Sequence, residues 1–320
     1  METVLVAGGA GFIGSHLCRA LLDGGFFVVC IDNLITGDKK NIEDLLANPQ
    51  FSFVEGDITT GLPLTKNIKY IFHLASPASP NKKSPRSYIN YPIETLLVNS
   101  VGTKNLLELA KKTNAKFLYS SSSEIYGDPA VSPQPETYFG NVNPNGIRSV
   151  YDEGKRFGEA ISMAYMRKFG VDIRIVRIFN TYGPRMQADD GRVISNFITQ
   201  ALVNKPITIY GDGSQTRSFC FVDDMVEGLL KVIFSGSTKG EVVNLGNPDE
   251  RKISDTAALI MKMIRSSSDI VFEPLPQDDP KKRKPDIAKA KTLLSWEPKI
   301  AIEEGLGKTI QYFKEVVTSA

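Results

Sequence analysis

Apolar positions along the chain form two kinds of pattern, short continuous runs and repeats at helical spacing. Short apolar runs rich in β-branched and aromatic residues predict strands, which we place at residues 3–7, 26–31, 51–54, 70–74, 117–119 and 171–178. Between them apolar residues recur at helical spacing, most extensively over residues 93–112 and 150–168. Strands that alternate with helices predict right-handed crossovers and a parallel sheet covered on both faces. The expected fold class is therefore α/β, with a Rossmann-type doubly wound parallel sheet.

The later part of the chain predicts shorter elements. Residues 207–210, the turn 211–213 and residues 215–219 resemble a small β element that carries Arg217, and residues 222–234 and 302–316 predict helices. We therefore expect a smaller C-terminal α/β lobe beside the main sheet.

A glycine turn follows the first predicted strand. Gly8 permits a tight turn, Gly11 lets the backbone approach a pyrophosphate, and Gly14 permits close packing of the next helix. The helix N-terminus offers free N–H groups and a partial positive charge to the phosphates. This pattern predicts a dinucleotide site.

Asp32 ends the second predicted strand about 20 residues after the glycines, where a carboxylate accepts hydrogen bonds from ribose hydroxyls. A carboxylate there repels a 2′-phosphate, so NAD is favoured over NADP as the cofactor. The alternative interpretation is that Asp32 only caps the following turn. Asp57, at the end of the third strand, is a candidate for the adenine edge. The other predicted cofactor-binding residues are Phe12, Ile13, Asn33, Thr36, Ile58, Leu74, Ala75, Ser76 and Asn99.

One of these positions, Asn99, has two alternative interpretations. Asn99 lies within the predicted helix 93–112, where its amide could satisfy a backbone group or hold a water near the active site. His73, at the end of the fourth strand, is interpreted as structural, with no chemistry assigned to it.

Residues 120–155 carry the candidate catalytic groups. Tyr151 and Lys155 are four residues apart, so both project from one face of a helix. A free Tyr has a pKa near about 10, but an adjacent ammonium group and a nicotinamide cation would each favour the phenolate. Tyr151 then serves as a base that accepts a hydroxyl proton, with Ser122 sharing that proton. Glu124 is expected on the same side of an extended segment as Ser122, free to act as a second acid or base.

These motifs resemble the extended short-chain dehydrogenase/reductases that modify nucleotide sugars, and within that group the UDP-glucuronate decarboxylases. The matching stretches cover nearly the whole chain and include His73-Leu74-Ala75-Ser76-Pro77, Ser123-Glu124-Ile125-Tyr126-Gly127, Tyr151-Asp152-Glu153-Gly154-Lys155 and Asp278-Asp279-Pro280-Lys281-Lys282-Arg283. The chain departs from the pattern in its loop 81–88, which is longer and more basic, and in having Ser122 where the family usually has Thr.

The resemblance implies decarboxylation of UDP-glucuronate to UDP-xylose through a 4-keto sugar, with NAD regenerated in each turnover. It assigns catalysis to Ser122, Glu124, Tyr151, Lys155 and Arg283. It also assigns Asn180, Arg217 and Arg283 to the diphosphate or sugar, and Val193, Asn196 and Tyr210 to the uridine; Arg185 is a further predicted substrate ligand. Residues 1–178 would form the NAD-binding domain, with a returning segment at 218–247, and residues 179–217 and 248–320 would form the nucleotide-sugar lobe.

Alternatives share part of this chemistry. A 4-epimerase, a 4,6-dehydratase or a 4-dehydrogenase would begin with the same oxidation. A dehydratase of this group would carry Asp-Glu at the positions of Ser123 and Glu124, and the 4-epimerases usually lack the Glu. From another class, a non-catalytic NAD-sensing protein would not need Tyr151 and Lys155 together.

Composition narrows the remaining possibilities. With 320 residues and a net charge of +2, the chain gives no general electrostatic reason to bind nucleic acid, although residues 281–284 form a basic cluster. Its three cysteines lack metal-ligand spacing, so we expect neither a metal site nor a disulfide framework. Without an apolar stretch near the length of a membrane span, a cytoplasmic protein is expected. The helices at 93–112 and 150–168 are expected to form a homodimer interface, as in relatives.

Overall fold

The computed structural model describes residues 1–62, 67–280 and 282–318. Within this part of the chain the strands are β1 (Thr3–Ala7), β2 (Phe27–Asp32), β3 (Phe51–Glu55), β4 (Ile68–His73), β5 (Lys116–Ser122), β6 (Ile173–Ile178), β7 (Thr181–Tyr182), β8 (Ile207–Tyr210), β9 (Thr216–Ser218), β10 (Cys220–Phe221), β11 (Val242–Leu245), β12 (Glu250–Lys252), β13 (Ile270–Glu273) and β14 (Lys282–Arg283). The helices are α1 (Phe12–Asp23), α2 (Pro92–Leu97), α3 (Thr103–Thr113), α4 (Ser149–Phe169), α5 (Val193–Leu202), α6 (Val222–Phe234), α7 (Ile253–Ile264), α8 (Ala288–Leu294) and α9 (Ile302–Thr318).

Seven parallel strands form the central sheet, in the order β11-β6-β5-β4-β1-β2-β3. The strands are mainly apolar because helices cover both faces: α1 and α6 pack on one side, and α3 and α4 on the other. The predicted doubly wound Rossmann-type sheet is confirmed. Strand β11, from the predicted returning segment, pairs with β6, whereas the domain bounds given above stay a prediction.

The predicted helix 93–112 is interrupted. Between α2 and α3, residues 98–102 form one π-helical turn. Polar side chains bond the carbonyls one turn back: Asn99 Nδ2 donates to Thr95 O at 2.8 Å, and Thr103 Oγ1 donates to Asn99 O at 2.8 Å. Such bonds compete with the regular helical ladder, and they give a physical reason for the interruption.

The predicted β element at 207–219 contains two strands that belong to different sheets. Strand β8 pairs with β13, whereas β9 lies between β12 and β14 in a separate sheet. Gly211 and Gly213, in the turn between β8 and β9, have φ angles of +70° and +77°. In the second sheet Arg283 lies opposite Arg217.

No helix among the described residues combines the length and the apolar composition that crossing a membrane requires.

Candidate active site

The glycine turn between β1 and α1 accepts no side chain at two positions. Gly8 has a φ of +81°, and a Cβ there would lie 2.6 Å from the amide nitrogen of Ala75. A Cβ on Gly14 would lie 2.1 Å from the carbonyl oxygen of Gly8, so the close packing predicted at Gly14 is against the turn itself. Gly11 precedes α1 and leaves the helix N-terminus open to a cavity. These residues fit a dinucleotide pyrophosphate.

Two adjoining cavities lie at the carboxyl ends of the strands. The smaller, of about 200 Å³, is lined by Asp32, Asn33, Asp57, Ile58 and Ala75. The larger has a volume of about 550 Å³. Its lining includes the predicted residues Gly8, Gly11, Phe12, Ile13, Gly14, Thr36, Leu74, Ser76, Ser122, Glu124, Tyr151, Lys155, Asn180, Arg185, Val193, Asn196, Tyr210 and Arg217. Gly8, Gly11, Thr36, Leu74 and Ser76 line both cavities, so a long ligand can extend from one to the other.

Asp32 is 8% exposed and accepts hydrogen bonds from the backbone of the glycine turn and from the backbone that follows β2. Its Oδ2 accepts from Ala10 N at 3.0 Å and its Oδ1 accepts from Leu34 N at 2.9 Å. The turn-capping alternative is therefore observed. Each carboxylate oxygen has a second lone pair, so the same group can still accept a ribose hydroxyl.

Tyr151 and Lys155 lie on the first two turns of α4, beside the end of β5. Lys155 Nζ donates to the carbonyl oxygen of Ser120 at 2.8 Å and lies 5.6 Å from the centre of the Tyr151 ring. The helix places both side chains in the larger cavity as the four-residue spacing predicts.

The protein groups alone do not favour the phenolate. Burial raises the pKa of Tyr151 and a hydrogen bond with Ser122 lowers it; burial has the larger effect, and the pKa is about 12. Burial also lowers the pKa of Lys155 to about 7, while the nearby Glu159 raises it. The expected lowering of the Tyr151 pKa by Lys155 is not seen, because desolvation outweighs the other effects on both groups.

Glu124 differs from the prediction in its backbone conformation and in the contacts of its carboxylate. The Ser122 hydroxyl accepts from Glu124 N at 3.2 Å and starts a 3₁₀ turn at Ser123–Tyr126, so Ser122 and Glu124 do not share an extended segment. Both Glu124 oxygens are engaged, Oε1 by Arg283 Nη1 at 2.7 Å and Oε2 by Arg148 Nη2. Burial would raise the pKa of this carboxyl, but Arg283 and Arg148 lower it to about 2. Glu124 is therefore ionised at neutral pH and is not the free acid that the sequence suggested.

Arg283 lies behind Glu124. It is 1% exposed and also donates to Ser123 Oγ and Gly127 O, each at 3.1 Å. Among the described residues the lining of the larger cavity includes Glu124 and Arg148 but not Arg283. Lys282 is exposed and Lys284 is half-buried, as expected for the solvated part of the basic cluster, whereas Lys281 lies outside the described residues.

Two other predicted ligands have protein partners. Arg185 Nη2 donates to Asp44 Oδ2 at 3.0 Å, and its Nη1 donates to Ser15 O at 3.3 Å beside α1. Asn99 is fully buried and donates to Ser76 Oγ at 3.0 Å, so it lies one layer behind the cavity wall. The Asn99 side-chain amide also donates to the carbonyl oxygen of Thr95. This is the first of the two interpretations given above, in which the amide satisfies a backbone group.

Sequence reasoning missed four residues that line the larger cavity together with Tyr151. Arg148 precedes it by one helical turn, and that spacing was a signal available in the sequence. Tyr88 and Arg192 come from distant loops, and Asp279 was quoted only as part of a motif. Arg192 bonds Asp190 Oδ2 at 2.5 Å, and Tyr88 stacks on the Tyr151 ring. Contacts between distant loops have no period that a sequence pattern could show.

Comparisons with known proteins identify the relatives of this chain. The model of the NAD dependent epimerase/dehydratase family matches residues 4–246. UDP-glucuronic acid decarboxylase 1 of Danio rerio is 50% identical over 312 residues, which cover 98% of this chain and 72% of that protein. UDP-glucuronic acid decarboxylase 4 of Arabidopsis thaliana is 50% identical over 317 residues, covering 98% of this chain and 69% of that protein.

Solved structures share the fold at lower identity. UDP-glucuronic acid 4-epimerase from Bacillus cereus, in complex with UDP-glucuronic acid and NAD, has a TM-score of 0.88 at 32% identity, covering 98% of this chain and 100% of that chain. A dTDP-glucose 4,6-dehydratase from Streptomyces venezuelae with NAD bound has a TM-score of 0.88 at 26% identity, covering 98% of this chain and 97% of that chain. The fold is thus common to enzymes that catalyse different reactions.

Proposed function

The chain belongs to the NAD dependent epimerase/dehydratase family, and from this premise we propose that it decarboxylates UDP-glucuronate to UDP-xylose. The observation that carries the proposal is the 50% identity to named UDP-glucuronic acid decarboxylases over 98% of the chain. Solved epimerase and dehydratase structures share the fold at only 32% and 26% identity. The resemblance stated from the motifs alone leads to the same reaction.

NAD is the cofactor of this family, and when bound it accepts a hydride from C4 of the sugar and returns it later in the same turnover. In this proposal Tyr151 takes the proton of the 4-hydroxyl, and Ser122 hydrogen-bonds the same oxygen. Lys155, whose ammonium group is held by the Ser120 carbonyl, stabilises the negative charge that forms on Tyr151.

Oxidation at C4 places the ring carboxylate β to a ketone. Loss of carbon dioxide breaks the bond between C5 and the carboxyl carbon and leaves an enolate that the ketone stabilises. The enolate takes a proton at C5 from solvent water, the hydride returns to C4, and Tyr151 gives its proton back to the 4-oxygen. Because Glu124 is ionised at neutral pH, we assign it no proton. Its role in this proposal is to hold Arg148 in the cavity wall, while Arg283 supports Glu124 from behind.

In this proposal the nucleotide half of the substrate binds in the part of the larger cavity that the smaller lobe forms. Asn180 and Arg217 are proposed to contact the diphosphate, and Val193, Asn196 and Tyr210 to contact the uridine. A planar guanidinium matches phosphate oxygens in pairs. Arg185 is proposed at the edge of the same site.

Incubation of the purified protein with NAD and UDP-glucuronate tests the reaction directly. We expect carbon dioxide and UDP-xylose as products. Trapping of the gas detects the first, and NMR of the nucleotide sugar identifies the second. UDP-galacturonate without gas would identify a 4-epimerase, and a 4-keto sugar as the final product a dehydrogenase or dehydratase. No product from any nucleotide sugar would favour the NAD-sensing alternative.

We also propose a homodimer. Ile93, Leu97 and Val101 are 60%, 42% and 39% exposed at four-residue intervals on α2 and the π-helical turn, and Phe157 on the adjoining α4 is 49% exposed. Apolar stripes of this kind are typical of interfaces. Light scattering of the purified protein measures its mass. A cytoplasmic location stays a prediction of the sequence.

A further inference from the structure

Five charged side chains alternate in sign along a chain of ion pairs, and all of them except Arg283 line the larger cavity. Arg283 bonds Glu124, Glu124 bonds Arg148, Arg148 Nη1 lies 3.2 Å from Asp279 Oδ1, and Asp279 Oδ2 lies 2.9 Å from Arg217 Nη2. Three guanidinium groups and two carboxylates leave one positive charge. Since desolvated charges require partners, this chain of ion pairs favours the arrival of one more anion.

Of these three arginines, Arg148 is the nearest to Tyr151 in the sequence. It is 6% exposed, lines the cavity, and precedes Tyr151 by one turn, so that its carbonyl oxygen accepts from Tyr151 N at 3.0 Å. Tyr151 and Arg148 line the same cavity, so a sugar whose 4-hydroxyl meets Tyr151 lies in the cavity that the Arg148 side chain faces.

The guanidinium of Arg148 already binds carboxylates. Glu124 and Asp279 each accept one of its N–H groups, and a guanidinium has five. Asp279 also accepts from Arg217, so this one carboxylate is shared between two arginines.

We propose that Arg148 binds the carboxylate of the substrate sugar and so selects an acidic sugar over its neutral counterpart. The proposal rests on the function proposed above. Glu124 is ionised and would repel a second carboxylate, so a cation must separate the two; Arg148 occupies that position in the cavity wall, whereas Arg283 lies behind Glu124.

Binding measurements in a Tyr151→Phe background test this inference, because the substrate then binds without being consumed. Calorimetry of the NAD-containing protein compares UDP-glucuronate with UDP-glucose. We expect Arg148→Gln to weaken UDP-glucuronate binding by about 30-fold or more. Binding of UDP-glucose should change by less than about threefold. Arg148→Lys, which keeps the charge but loses the planar fork, should retain part of the preference.

Arg167→Gln is the matched control, since Arg167 is an exposed residue at the far end of the same helix. Equal losses for both sugars would assign Arg148 a structural role only, and unchanged UDP-glucuronate binding would remove it from the carboxylate site; either result overturns the inference. Failure of the function itself is a different result, because the parent protein would then release no carbon dioxide and show no preference between the two sugars.

Discussion

The ring of Tyr88 stacks on the ring of Tyr151, with centroids 5.0 Å apart and an angle of 11° between the planes. Tyr88 is 1% exposed, and its hydroxyl has no hydrogen-bond partner among the described residues. The contact between the two residues is therefore made by the rings. It fixes one face of Tyr151 through a loop that is remote in sequence from α4.

Two replacements of Tyr88 distinguish the contribution of its ring to catalysis from that of its hydroxyl group. Tyr88→Phe keeps the stack, and we expect kcat within about twofold of the parent. Tyr88→Leu removes the stack and lets Tyr151 move, so kcat should fall by about tenfold or more. Steady-state kinetics with measured NAD content check both variants. An equal loss in the two would show that the hydroxyl, not the ring, is the important part.

Tyr151→Phe removes the proposed proton acceptor and leaves the ring in place. We expect turnover to fall by about 10²-fold to 10⁴-fold. Bound NAD should stay near the parent level, because the cofactor turn at Gly8–Gly14 is untouched. Product formation and absorbance of the released nucleotide are the two measurements. Retained turnover would contradict the assignment of Tyr151 as the base.

Local chemistry made the cofactor turn and the Tyr151–Lys155 pair predictable. The glycines act within one turn and the two catalytic residues within one helix, so their spacing in sequence fixes their spacing in space. The returning strand β11 was also predictable, since an apolar run that follows a helix joins a parallel sheet.

The charge network was not predictable in the same way. Glu124 is separated from Arg283 by 159 positions and from Arg148 by 24, and only folding shows that both arginines reach one carboxylate. The conformation at Ser122 depends on a single side-chain bond to Glu124 N, which ends the strand where the sequence indicated an extended segment. Ionisation of Glu124 follows from these contacts, not from residue type.

Lys155 should make stability depend on pH. Burial lowers its pKa from 10.5 to about 7, so between these values the unfolded chain binds more protons than the folded one. The free energy of unfolding therefore rises with pH across this window, and the cost of burying the ammonium group is complete below about pH 7. Lys155→Met removes this cost.

Urea unfolding of nucleotide-free protein at several pH values measures the effect. Lys155→Met should be more stable than the parent at pH 7, and the difference should shrink as the pH approaches 10. Lys168→Met, at the exposed end of the same helix, is the control and should show no such trend. A difference that is constant with pH would exclude a lowered pKa at Lys155.

Glu124→Gln leaves two buried guanidinium groups with one charged partner fewer. We expect the free energy of unfolding at pH 7 to fall by about 3 kcal/mol. Since the pKa of Glu124 is lowered from 4.5 to about 2, the parent loses this advantage as the pH falls through that range. Glu153→Gln, on the outer face of α4, should change stability by less than about 0.5 kcal/mol. Equal stability of Glu124→Gln and the parent at pH 7 would contradict the described ion pairs.

Arg86 links the two halves of the site through the long basic loop. Its Nη1 donates to Thr36 O at 3.2 Å on the cofactor side, and its Nε donates to Asp189 Oδ1 at 3.0 Å on the substrate side. Ser79 and Ser84 of the same loop bond the carbonyls of Asp190 and Asp189, so Arg86 extends an existing contact across the cavity.

We expect release of NAD to require separation of Thr36 from the loop, because Thr36 lines both cavities and Arg86 holds it to the substrate side. Arg86→Ala should therefore increase the dissociation rate of NAD by about tenfold, corresponding to the loss of one or two hydrogen bonds. Lys82→Ala removes a positive charge from an exposed position in the same loop and should leave the rate within about twofold. Stopped-flow fluorescence of NADH release measures both rates. An equal increase in the two variants would mean that the charge of the loop, and not the contact of Arg86 with Thr36, retains the cofactor.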